Sequence, residues 1–168
     1  MGLKDNLFRF TVIGALITGV VFNVWVLSSC RYLEASRGNL QIGVYRYSLD
    51  LEDNAYTTGG SCESYDDEAS DGFVRTAQVC AVLAPIFGLF LICMIVVNQC
   101  CCPVPCSGIL VSLGYVAVQI CTALIWLLYK TDACNQSNTS CKWGQAATGN
   151  FIAQMMFLVA AIFHRCLP

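Results

Sequence analysis

The residues of this chain that could do chemistry are mostly cysteines and carboxylates. Twelve of its 168 residues are cysteine, and their spacing sorts them into three groups. Cys100, Cys101, Cys102 and Cys106 fall in the run Cys-Cys-Cys-Pro-Val-Pro-Cys, and Cys166 follows Arg165. Four thiolates could hold zinc. Three adjacent side chains do not readily converge on one tetrahedral ion, however, so no metal is expected there. Thiols beside a membrane surface are acceptors for palmitate, which makes these five cysteines lipidation candidates. Cys30, Cys62, Cys134 and Cys141 lie in polar segments, and four cysteines allow three pairings. The short gap between Cys134 and Cys141 closes a compact loop and leaves Cys30 to pair with Cys62. Cys80, Cys93 and Cys121 fall inside apolar runs, where a thiol acts as a small packing residue.

The carboxylates are equally localised. Nine of the eleven lie between Glu34 and Asp71, against Arg31, Arg37 and Arg46 alone. Nine minus three gives that segment a charge of −6, whereas the whole chain carries −2. Asp66, Asp67, Glu68 and Asp71 could offer oxygens to calcium, but EF-hand spacing and its turn glycine are lacking. A solvated acidic loop is the expected reading, and no metal site is assigned.

Catalysis finds no footing. His164 is the single histidine, and no Ser/His/Asp set, phosphate-binding glycine loop or paired intramembrane carboxylate accompanies it. An enzyme is not expected, nor is a cofactor. Without a basic patch, nucleic acid is not expected as a partner either.

These groups must be positioned by apolar segments. With 57% hydrophobic and 12% charged residues, and a mean hydropathy of +0.62, the chain is too apolar for a soluble globule of its size. A spanning helix needs roughly 20 apolar residues to cross ~30 Å of hydrocarbon. Four segments qualify, at about 10–27, 73–97, 108–129 and 146–163. The expected fold is all-α: a single four-transmembrane-helix domain covering 1–168, with outer loops 28–72 and 130–145 and a cytosolic turn at 98–107. Leu27-Ser28-Ser29-Cys30 also fits a lipoprotein cleavage site after a charged leader. The apolar run is longer than a signal core, though, so it is read as an uncleaved first span. Asn6 stands where a myristoylation motif wants Ser or Thr, which weakens that reading of Gly2.

Orientation rests on two observations. Lys4, Arg9 and Arg165 flank the spans on the side of the termini, as the positive-inside tendency wants. The loop holding Cys134 and Cys141 also carries two glycosylation sequons, at Asn135 and Asn138. Both termini are therefore expected in the cytosol, the loops outside, and the plasma membrane as the location.

Loops and spans carry further signals. Residues 41–51 alternate in the manner of one half-buried strand, and Thr57-Thr58-Gly59-Gly60 reads as a turn into a second strand at 61–65. The expectation is a small antiparallel β-sheet in the first outer loop. Small residues recur every fourth position at Thr11, Ala15 and Gly19, at Gly108 and Ser112, and at Gly149 and Ala153, a spacing that lets helices approach closely. Asn23, Gln119 and Gln154 are polar groups at membrane depth, costly unless paired. Gln119 and Gln154 could meet between the third and fourth spans. Pro85 should kink the second.

A short first span, a long outer loop with strand character and a smaller second loop together resemble the claudin-like tetraspan superfamily. That group contains claudins, peripheral myelin protein relatives and auxiliary subunits of channels and receptors. Gly43-Val44-Tyr45 is similar to the family's Gly-Leu-Trp, Cys62 to its second loop cysteine, and Arg75 to the arginine opening its second span. Ser48 stands near the family's first loop cysteine, so the usual pairing inside the sheet is lost and Cys30 becomes the candidate partner of Cys62. Only Cys166-Leu167-Pro168 follow Arg165, so binding through a long tail is not expected.

The resemblance implies a membrane protein of structural, adhesive or barrier type that associates laterally with copies of itself. The alternatives are an accessory subunit of a larger channel, receptor or membrane complex, and an oligomeric cation-selective pore drawing on the acidic loop. The expected partners are the lipid bilayer and a second copy or a larger membrane protein.

Overall fold

A computed structural model describes residues 3–35, 40–49, 63–64, 72–100, 107–131, 134 and 141–165. Four helices account for most of it: α1 (Leu3–Ser28), α2 (Gly72–Cys100), α3 (Ser107–Leu124) and α4 (Gln145–Arg165). A 3-10 segment, Ile125–Lys130, prolongs α3. The four apolar stretches run for 22, 27, 24 and 21 residues, each enough to cross roughly 30 Å of hydrocarbon. Only 33% to 39% of each stretch is buried within the protein. Phe10, Val79 and Leu113 point outward, an arrangement that suits lipid and would be prohibitive in water. The chain is a multi-pass membrane protein.

The helices outrun the apolar segments at several ends. α1 begins at Leu3 and includes Lys4, Asp5, Asn6 and Arg9. Counting apolar residues leaves these out, yet they tolerate helical geometry well once a span nucleates the helix. α2 likewise continues to Cys100. Pro85 lies inside α2, where it deprives the buried Ala81 carbonyl of its helical donor.

α1 packs against α2 and α4, and α3 against the same two helices. Lipid tails are as apolar as leucine, so these contacts depend on close fit rather than on exclusion of water. The fit is built around glycines. Phe157 of α4 is fully buried, and its ring occupies a notch between Gly19 of α1 and Gly88 of α2; a methyl group at Gly19 would lie 2.9 Å from that ring. Gly114 of α3 accepts Leu91 of α2, and Gly149 of α4 accepts Trp25 of α1. Gly19 and Gly149 belong to the small-residue stripes, whereas a methyl group at Gly108, also in a stripe, would meet no neighbouring element within 4 Å.

One end of the bundle carries a five-stranded antiparallel sheet. Its strands are β1 (Leu33–Ala35), β2 (Leu40–Ile42), β3 (Arg46–Leu49), β4 (Glu63–Ser64) and β5 (Cys141–Trp143), in the order β4-β3-β2-β1-β5. The single strand expected over 41–51 is two strands. Leu40 pairs with Leu49 and Ile42 with Tyr47, and the chain reverses at Gly43-Val44-Tyr45. Continuous alternation would place Val44 on the face of Arg46 and Ser48. Reversing there buries Val44 completely and turns Tyr45 toward α2, so burial overrides the local period. β4 falls within the expected second strand.

The sheet also extends beyond the first loop. β5 comes from the second and pairs with β1, Leu33 opposite Trp143 and Glu34 opposite Lys142.

Candidate functional site

The structure concentrates its specific polar contacts where the sheet meets the helices. Tyr32, just before β1, is fully buried. The Asn150 amide donates to its hydroxyl at 3.0 Å and to the Thr122 carbonyl at 3.1 Å. One side chain of α4 thus ties β1 to α3. Burial pushes the Tyr32 phenol far above its ordinary value, and the Asn150 hydrogen bond offsets this only in part. The phenol is therefore a neutral structural group rather than an acid for chemistry.

Backbone bonds complete the joint. The Gly144 amide donates to the Tyr32 carbonyl and the Ala146 amide to the Arg31 carbonyl, both at 2.9 Å. A side chain at Gly144 would collide with the Arg31 carbonyl, so glycine is required for this close backbone approach. Around Tyr32 the rings of Trp126, Tyr129, Trp143 and Phe151 form a chain, with Trp126 and Trp143 only 4.9 Å apart. Trp143 and Phe151 remain exposed, and the amphipathic indole of Trp143 suits a membrane–water boundary.

A second clamp holds the other side of the sheet. The Tyr45 hydroxyl donates to the Gln78 carbonyl at 2.8 Å, and the Gln78 amide donates to the Val44 carbonyl at 3.2 Å. Of the three motif residues, Gly43 and Tyr45 thus form the β2–β3 connection at this clamp. Arg75 lies in the first turn of α2 with its side chain exposed.

The Cys134–Cys141 disulfide is formed and leads directly into β5. Cys30 is disulfide-bonded as well; Cys62, its expected partner, lies outside the described residues. Asp66, Asp67, Glu68, Asp71, Asn135, Asn138, Cys101, Cys102, Cys106 and Cys166 also lie outside them, and Cys100 is described only as the end of the α2 backbone. Cys80, Cys93 and Cys121 are free thiols, with Cys93 exposed. No three His, Cys, Asp or Glu residues among those described could hold a metal ion.

Within the bundle, Gln119 meets Gln154 between α3 and α4, its amide donating 3.1 Å to the Gln154 backbone carbonyl. Asn23 is buried in α1, and neither atom of its amide has a hydrogen-bond partner.

Sequence reasoning missed Tyr32, Gln78, Asn150 and β5. Asn150 gave one usable signal, a polar residue between Gly149 and Phe151 at the start of an apolar run. Tyr32 and the three residues of β5 gave none.

The arrangement is a rigid platform, clamped at two places, with no acid–base or nucleophilic set among the described residues. No protein-family model matches this chain, and no curated protein does.

Proposed function

We propose that this protein is a claudin-like tetraspan that builds membrane structure by lateral self-association, with its sheet on the non-cytosolic side of the plasma membrane. The observation that carries this reading is the single sheet made from both loops and tied by hydrogen bonds to α2, α3 and α4. Two disulfide-bonded segments belong to it, and disulfides persist on the oxidising side of a membrane. Among the described residues β4 and β5 each pair with one strand only. An edge strand of this kind is a template for pairing with a neighbouring copy. The turn at Gly43-Val44-Tyr45, docked on Gln78, gives the family resemblance a structural role.

The test is purification in mild detergent. A regular homo-oligomer that dissociates when β5 is disrupted supports the proposal. Co-purification of a monomer with one larger membrane protein would instead establish an accessory subunit. Orientation has its own check: replacing Asn135 and Asn138 together should abolish a glycan mobility shift in a glycosylating host. A shift that persists would contradict the assigned side.

A further inference from the structure

The end of the bundle away from the sheet holds donors that the protein's own fold does not use. Tyr115 lies about two turns into α3, which begins at Ser107. Its ring centroid is 5.9 Å from that of His164 in the last turn of α4. A cleft of about 440 Å³ lies between these two helices beside the pair. Its walls are apolar, formed by Val116, Ile120 and Ile162, and its polar groups are those of Ser112, Tyr115, Gln119, His164 and Arg165.

Two of these polar groups are unsatisfied. Tyr115 is only 6% exposed, and its hydroxyl has no hydrogen-bond partner; neither has the buried Nδ1 of His164. Leaving a buried polar atom unpaired is costly, so two in one cleft call for an explanation. Gln119 does not provide it: its amide donates to the Gln154 carbonyl, and neither orphaned atom has a partner in the cleft. Arg165 adds an exposed guanidinium at the mouth. The only carboxylate whose side chain is described, Glu34, belongs to the sheet at the opposite end.

We infer that this cleft binds an anionic glycerophospholipid of the leaflet on the side of the termini. Arg165 and His164 meet the phosphate, the Tyr115 and Ser112 hydroxyls supply neutral hydrogen bonds, and an acyl chain lies along Val116, Ile120 and Ile162. The site's chemistry favours this occupant over a sterol. A sterol brings one hydroxyl and no charge to set against the guanidinium. Arg also suits a phosphate, because its planar fork of donors matches two phosphate oxygens.

Retention of lipid through purification tests this. The full chain is washed extensively in detergent, and bound phospholipid is read by native mass spectrometry and by extraction. The wild-type protein should retain one anionic phospholipid per chain in preference to phosphatidylcholine. Combining Arg165→Gln with Tyr115→Phe should lower that retention about tenfold, equivalent to 1.4 kcal/mol of binding. Lys4→Gln, a charge change near the same end, should leave it unaltered. Tyr115→Phe alone removes an unpaired hydroxyl, so the delipidated variant should melt no lower than wild type, which separates a binding defect from a folding defect. Equal retention of phosphatidylcholine, preferential retention of a sterol, or displacement of the lipid by inorganic phosphate would overturn the inference. So would unchanged retention in the double variant.

Discussion

The Asn150 side chain spans three elements, and it is the residue on which the platform depends most. Its amide serves both the Tyr32 hydroxyl and the Thr122 carbonyl. Asn150→Ala leaves those groups buried without a donor and should cost about 1–3 kcal/mol, read as a lower melting temperature in detergent. Adding Tyr32→Phe removes one orphaned oxygen, so the double variant should lose less than the two single losses added together. Tyr32 also sets a pH dependence. Its folded pKa is raised above the ordinary 10.0, chiefly by burial. The folded chain thus keeps a proton that the unfolded chain releases above that pH. Stability contributed by the neutral phenol is present below pH 10.0 and falls as pH rises beyond it. Thermal melts at increasing alkalinity should show this decline, and Tyr32→Phe should flatten it. The pairing was not legible beforehand: Asn150 stands out as a polar residue in an apolar run, but nothing local to it or to Tyr32 says that the two meet.

Among elements, the helices were legible and the sheet only partly so. A span must satisfy its backbone internally and expose apolar surface along its whole length, so hydropathy alone places 73–97 within α2 and 146–163 within α4. The boundaries differ where Lys4, Arg9 or Cys100 continue a helix past the hydrocarbon. Strand pairing depends instead on partners far away in the chain. β5 pairs with β1 across more than a hundred residues, and three residues are too few for alternation to announce it. Two measurements address this strand. Cys134→Ser with Cys141→Ser opens a small loop, and the lost chain constraint should lower stability by about 2–3 kcal/mol. Gly144→Ala pushes a methyl group against the fixed Arg31 backbone and should cost roughly 1–3 kcal/mol by overpacking. In both variants limited proteolysis should cut the second loop faster than in wild type, while the spans stay protected. Equal cleavage rates would show that β5 is not held in this way.

At the scale of the whole molecule, the bundle and the sheet form one body with two dissimilar ends. The end with the sheet is held by Tyr32–Asn150, Tyr45–Gln78 and the Cys134–Cys141 bridge. The other end carries the cleft beside Tyr115. The fold class could be read from composition and periodicity, because a bilayer leaves few architectures to choose from. The full sheet could not, because it arises from the union of two loops far apart in sequence. Lateral association of copies is the central claim, and counting chains in intact membranes tests it most directly. Stepwise photobleaching of singly labelled protein at low expression should show clusters of several copies, and Gly144→Ala should shift the distribution toward single steps. Uniform single-step traces from wild-type protein would contradict the claim.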